Sequence, residues 1–126
     1  MEKNNTHLSG EYFVAAELYR RGFSVGITIG NAKTIDLFAS KNGKTFCIDV
    51  KGIRSKKSIG WPMMKDKVRK DIFYIFINLN STESPDYYIC SSEETNLLVK
   101  QYKTRGILNL SDIKKENHLD RWDKLS

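Results

Sequence analysis

Hydrophobic residues along the 126-residue chain change period several times, and each change marks an element. Residues 7–21 repeat with a helical period. At about 100° per residue, Leu8, Tyr12, Ala15, Ala16, Leu18 and Tyr19 fall on one broad face. Asn5 or Thr6 can cap this helix, and Gly22 follows its end, where a left-handed residue is favoured. Glu11 falls inside the apolar arc, whereas Glu17 falls nearly opposite, towards solvent. A carboxylate sent inward requires an explanation.

Residues 23–29 alternate as a first strand, and residues 34–40 and 44–51 read as two more, joined around Asn42-Gly43, a strong hairpin signal. A basic loop over 52–61 ends at Trp61-Pro62 and leads to a short amphipathic helix over about 63–70, with Met64 and Val68 inward. Residues 72–79 are almost continuously apolar, as in a strand covered on both faces. A strand at 87–90 follows a turn, and Ser91 with Glu94 makes a capping box for a helix running to about Lys103. Residues 107–110 suit a short strand and 119–125 a closing turn or helix. The order α-β-β-β-(α)-β-β-α implies an α/β fold: a mixed sheet of about five strands with helices on its faces. The length suits one domain over 1–126.

Hairpin register brings chemistry into view. With a two-residue turn at Asn42-Gly43, paired positions sum to 85, so Ser40 faces Thr45, Phe38 faces Cys47 and Asp36 faces Asp49. Carboxylates so paired would have Cβ atoms roughly 5 Å apart, a destabilising arrangement unless something positive lies between. A divalent cation with hard oxygen ligands is the natural candidate, and the Val50 carbonyl could add an oxygen. Lys51 shares that face, while Ile35, Leu37, Ala39, Phe46, Ile48 and Val50 form an apolar set on the other. The plainer alternative makes Asp36 and Asp49 edge-strand solubility residues with Lys51 as counter-ion. It leaves the inward Glu11 unexplained.

Charge sharpens the picture. Net charge is +6, yet residues 51–70 carry eight basic side chains against one acid, so the rest of the chain is close to neutral. Solubility does not require such clustering, whereas a polyanion would exploit it. Arg54, Lys56, Lys57, Lys65, Lys67, Arg69 and Lys70 are candidates to track a nucleic-acid backbone, with Trp61 as a base-stacking or packing residue. His7 and His118 stand alone in sequence and read as surface residues. Cys47 and Cys90 sit in apolar stretches without metal-ligand spacing and read as buried thiols of a reducing cytosol, a disulfide being the alternative. The N-terminal residues lack the apolar core of a signal peptide, and no apolar run is long enough to cross a bilayer, so a cytoplasmic protein without membrane contact is expected.

Together, Glu11, Asp36 and Asp49-Val50-Lys51 resemble the signature of the PD-(D/E)xK nucleases, the restriction endonuclease-like superfamily. The likeness is nearest to archaeal-type Holliday junction resolvases and to small bacterial proteins built on the same core. It runs through Gly10-Glu11, Arg21-Gly22-Phe23, residues 35–39, and residues 42–44 through 48–51. Ile35 stands where the motif has proline, and Thr28-Ile29-Gly30-Asn31-Ala32 where the resolvases carry a serine-bearing loop. The resemblance implies a metal-dependent endonuclease hydrolysing phosphodiester bonds in nucleic acid, DNA foremost. Asp36, Asp49, Glu11 and the Val50 carbonyl would hold Mg²⁺ or Mn²⁺, and Lys51 would act beside them. A homodimer would let so small a chain reach two strands. The rival is a non-catalytic nucleic-acid-binding module of the same fold within a recombination, repair or defence assembly.

Overall fold

The structure, a computed structural model, describes residues 3–28 and 35–126; the segment around Ile29–Ala32 and the expected strand start at Thr34 lie outside the described residues. Helix α1 spans Lys3–Arg20. It begins earlier than the apolar period implies, so Asn5 and Thr6 lie inside it and do not cap it. Packing accounts for the extra turn: the Thr6 carbonyl lies directly against Gly52 of the sheet. Gly22, at φ +90°, closes the helix. Its N–H donates to the Tyr19 carbonyl, and the Phe23 N–H donates to that of Leu18, the two bonds of a Schellman motif.

The buried face of α1 is Glu11, Val14, Ala15 and Leu18, rotated from the expected arc; Leu8, Tyr12, Ala16 and Tyr19 are exposed. Apolar residues surround so much of this helix that periodicity cannot choose the face. The choice is made by Gly10, because a Cβ there would lie 3.1 Å from the Ile77 side chain. Only a glycine side of α1 can approach the sheet so closely. Glu17 is half-buried and held by Arg20 at 3.2 Å and Arg21 at 3.3 Å, so it does not point freely to water.

Strands β1 (Ser24–Ile27), β2 (Leu37–Lys41), β3 (Lys44–Ile53), β4 (Gly60–Pro62), β5 (Phe73–Asn78) and β6 (Asp86–Ser91) precede α2 (Ser92–Leu98). Then follow β7 (Val99–Gln101), β8 (Gly106–Asn109) and α3 (Leu110–Lys115). The main sheet has the order β1-β2-β3-β5-β6, parallel between β3 and β5 and antiparallel elsewhere. Asn42 (φ 53°) and Gly43 (φ 78°) make the tight turn, and Lys41 faces Lys44 through to Leu37 facing Ile48, the register read from the sequence. β5 is covered on both faces as expected. Ile75 and Ile77 join Val14, Leu18, Ile48 and Val50 under α1, while Tyr74 and Phe76 join Trp61, Tyr88 and Leu108 on the far side.

That far side carries a small sheet, β4-β8-β7. It recruits Trp61-Pro62, read above as the end of a loop, and Val99, which ends α2 well before Lys103. No amphipathic helix forms over 63–70, only a 3₁₀ turn at Lys65–Lys67. The Met63 N–H donates to the Gly106 carbonyl and the Lys65 N–H to the Gln101 side chain, so the start of this segment is tied to the small sheet. Ser91 and Glu94 form the capping box of α2. Cys47 and Cys90 are free, and burial pushes the Cys90 thiol up to about 12. No helix among the described residues is long and apolar enough to cross a membrane.

His118, expected at the surface, is buried. Its Nδ1 lies 2.9 Å from Lys124 Nζ, which also donates to Glu94 and to the Ile89 carbonyl, fastening the C-terminal turn to α2 and β6. Burial and the Lys124 ammonium lower the His118 pKa, while Glu94 and Glu116 oppose this and Arg121 adds to it. The folded protein thus binds the imidazole proton less readily than the unfolded chain, and the stability this group contributes is lost as pH falls below the ordinary imidazole value of about 6.5. Melting curves of wild type and His118→Gln between pH 7.5 and 5.5 should show the steeper acid decline in wild type.

Candidate active site

The regular β2–β3 ladder stops at Leu37 and Ile48, one pair short of Asp36 and Asp49. Asp36 N–H instead donates to the Ile48 carbonyl at 3.1 Å, a slip of one residue from the hairpin register. A one-residue slip reverses which face a side chain takes. Ile35 accordingly packs with Trp61, Tyr74 and Phe76, and not with Leu37 and Val50 as expected. The slip also leaves the Val50 N–H without a ladder partner. Asp36 supplies one: its Oδ2 accepts that N–H at 2.8 Å. The carboxylate therefore stands in the gap where β2 parts from β3, and it is only 6% exposed. Thr28, just past the end of β1, steadies it from behind, its N–H donating to the Asp36 carbonyl and its hydroxyl to that of Ile35.

Two groups meet Asp36 in that gap. From α1 come Glu11, 2% exposed, and His7, whose Nε2 lies 2.5 Å from Glu11 Oε2. One ligand atom each of His7, Glu11 and Asp36 lies within 4.8 Å of the other two. From the far side comes Asp49, its carboxyl close enough to Asp36 for each to feel the other's charge, with Lys51 Nζ 3.7 Å from its Oδ1. Of the four candidate residues, Asp36 thus neighbours both Glu11 and Asp49, and Asp49 neighbours Lys51. The carboxylates of Asp36 and Asp49 meet through a break in the ladder and not across a regular pair.

Desolvation, reinforced by the neighbouring Asp36 and opposed by Lys51 and Arg69, raises the Asp49 carboxyl to about 7. Acidic groups so crowded fit a cation: two carboxylates and an imidazole cluster, with Asp49 beside Asp36, and the Asp49 carboxyl is reluctant to ionise without added positive charge. His7 was passed over in the sequence as an isolated residue. Its spacing from Glu11 is i,i+4, which on a helix brings two side chains together, and that was the available signal.

Asp49 and Lys51 open onto a cleft of about 390 Å³ bordered by Met63, Lys67, Tyr74 and Arg105. Lys67, Arg69 and Lys70 are exposed near it. Arg54, Lys56 and Lys57 line a second cleft, of about 790 Å³, with Asn80, Ser81 and Glu83. Two expected binding residues are otherwise engaged. Trp61 is 1% exposed, packed edge-on against Phe76 and Tyr88, and cannot stack on a base. Lys65 Nζ donates to the carbonyls of Asn96 and Val99, so its charge serves the fold.

No protein-family model matches the sequence, and no curated protein matches it either. Solved structures do resemble it. A bacterial homing endonuclease, I-Ssp6803I, superposes with a TM-score of 0.67 at 13% identity, over 99% of this chain and 93% of that one. Hjc, a Holliday junction resolvase of the archaeal hyperthermophile Archaeoglobus fulgidus, gives 0.60 at 11% identity, over 89% and 90%. The chain shares the fold of these two structures, and at such identities the likeness is one of fold.

The Asp49 environment has a measurable consequence. A carboxyl raised in the folded state withdraws stability as pH climbs from its unfolded value of about 4, and the penalty is complete above about 7. In chelator-treated protein, Asp49→Asn should raise the melting temperature clearly at pH 8, less at pH 5 and hardly at pH 3.5.

Proposed function

We propose that residues 1–126 form a single metal-dependent endonuclease domain that hydrolyses phosphodiester bonds in nucleic acid, DNA foremost. The observation supporting this reading is that Asp36, at a break in the sheet, neighbours both Glu11 and Asp49, with Lys51 beside Asp49. The fold shared with a homing endonuclease and a Holliday junction resolvase supports it.

Asp36, Asp49 and Glu11 would hold a divalent cation such as Mg²⁺ or Mn²⁺, with the Val50 carbonyl as a further oxygen. Such an ion, when bound, neutralises phosphate charge and makes water a stronger nucleophile. Asp36 is kept in place by the Val50 N–H, so its carboxylate needs no reorganisation to serve as a ligand. Burial, with Asp36 close by, raises the Asp49 carboxyl towards neutrality, so added positive charge would favour its ionised form. Lys51 holds its ammonium beside Asp49, where a phosphate undergoing attack gains negative charge. Lys67, Arg69 and Lys70 near the cleft, with Arg54, Lys56 and Lys57 beyond β3, offer contacts to successive phosphates; such contacts position a strand without reading its sequence.

Nicking of supercoiled plasmid and of branched and single-stranded oligonucleotides, in Mg²⁺ or Mn²⁺, tests the reading. Wild type should cut. Asp49→Ala should abolish cutting, and Lys51→Ala should slow it by on the order of 10²–10³ while binding persists. Binding without cleavage by wild type in every divalent ion would leave a nucleic-acid-binding module in its place.

A further inference from the structure

We propose that His7 is a metal ligand, completing with Glu11 and Asp36 a nitrogen–oxygen–oxygen set that selects a first-row transition ion, Mn²⁺ through Zn²⁺, over Mg²⁺. This rests on the metal-dependent reading above and names the class of ion it uses. The carboxylate signature alone does not contain this histidine.

Geometry carries the inference. His7 sits one helical turn before Glu11, and its Nε2 is directed at the Glu11 carboxylate 2.5 Å away. Ligand atoms of His7, Glu11 and Asp36 fall within 4.8 Å of one another. An ion with ligand bonds of roughly 2.0–2.2 Å places its ligands about 3 Å apart when adjacent and a little over 4 Å apart when opposite, so a slight parting of His7 from Glu11 and small side-chain shifts would seat one ion among the three. The three differ in access. The Glu11 side chain is 3% exposed, whereas His7 is 43% exposed, so the imidazole stands at the solvent side of a buried carboxylate pair. A histidine serving only as counter-ion would neighbour Glu11 alone; this one also has a ring nitrogen within 4.8 Å of a carboxylate oxygen of Asp36, which is anchored in the sheet.

Ligand chemistry then sets the ion. Magnesium prefers oxygen ligands and retains its waters, whereas imidazole binds first-row transition ions well. A single imidazole among carboxylates should therefore tilt the site towards Mn²⁺ and the later ions.

The test is pulsed EPR on Mn²⁺-loaded protein, read together with calorimetric titrations of Mn²⁺ and Mg²⁺. Wild type should show ¹⁴N modulation from a bound imidazole. In His7→Gln, confirmed as folded by circular dichroism, the modulation should vanish and Mn²⁺ affinity should drop about tenfold or more, with Mg²⁺ affinity changed by less than about twofold. Modulation that persists in His7→Gln, or Mn²⁺ bound by wild type without modulation, overturns the assignment and leaves His7 as the counter-ion of Glu11. In those two cases the nuclease reading still stands. Absence of any divalent binding to wild type removes both.

Discussion

A strand that leaves a sheet exposes the N–H groups of the neighbour it abandons, and a buried N–H without an acceptor costs about 1–3 kcal/mol. In this protein the abandoned group is the Val50 N–H, and the acceptor is the side chain of Asp36. That single bond ties the end of the β2–β3 ladder to the chemistry of the site. It fixes a carboxylate inside the thickness of the sheet, where groups from both faces can reach it. Glu11 and His7 arrive from the helix side and Asp49 from the other. Had the ladder run one pair further, Asp36 would share a face with Asp49 and turn away from α1.

Close contact between α1 and the sheet is the second constraint. Gly10 costs the helix about 1 kcal/mol relative to alanine, yet it permits an approach that a Cβ at 3.1 Å from Ile77 would resist. Gly52 does the same from the sheet side, where the Thr6 carbonyl lies 3.3 Å from the position of a Cβ. The two glycines set α1 down beside Val50, so Glu11, next to Gly10, is delivered to Asp36. Helix stability is exchanged for placement of a carboxylate.

How much of this was legible depended on whether a local rule governed the residue. The hairpin register followed from Asn42-Gly43, whose positive φ angles admit one tight turn, and the burial of Glu11 followed from its apolar neighbours. The doubly covered β5 followed from its continuous apolar run. Where two local patterns competed, packing decided. Helix α1 has apolar residues on opposite sides, and a glycine selected between them. Ile35 alternates correctly with Leu37 in sequence, but the slip at Asp36 moves it to the other face. Trp61, Lys65 and Val99 look like loop or helix residues until β8 arrives from more than forty positions beyond Trp61 to pair with β4, a contact no window around Trp61 contains. His7 required the helix phase to be known before its meeting with Asp36 could be seen.

The fold also divides the basic segment in a way that constrains its ligand. Strands β3 and β5 are parallel, so residues following β3 and residues preceding β5 lie at opposite ends of the sheet. Arg54, Lys56 and Lys57 are therefore at one end, and Lys67, Arg69 and Lys70 at the other. Asp49 and Lys51 lie between them, with Asp49 facing Tyr74 near the start of β5 and close enough to Arg69 to feel its charge. At about 3.3 Å per residue, Arg54 lies roughly 16 Å along β3 from Asp49. A small anion could satisfy one group of cations but not both. A repeating polyanion such as a nucleic-acid backbone is long enough to meet both groups.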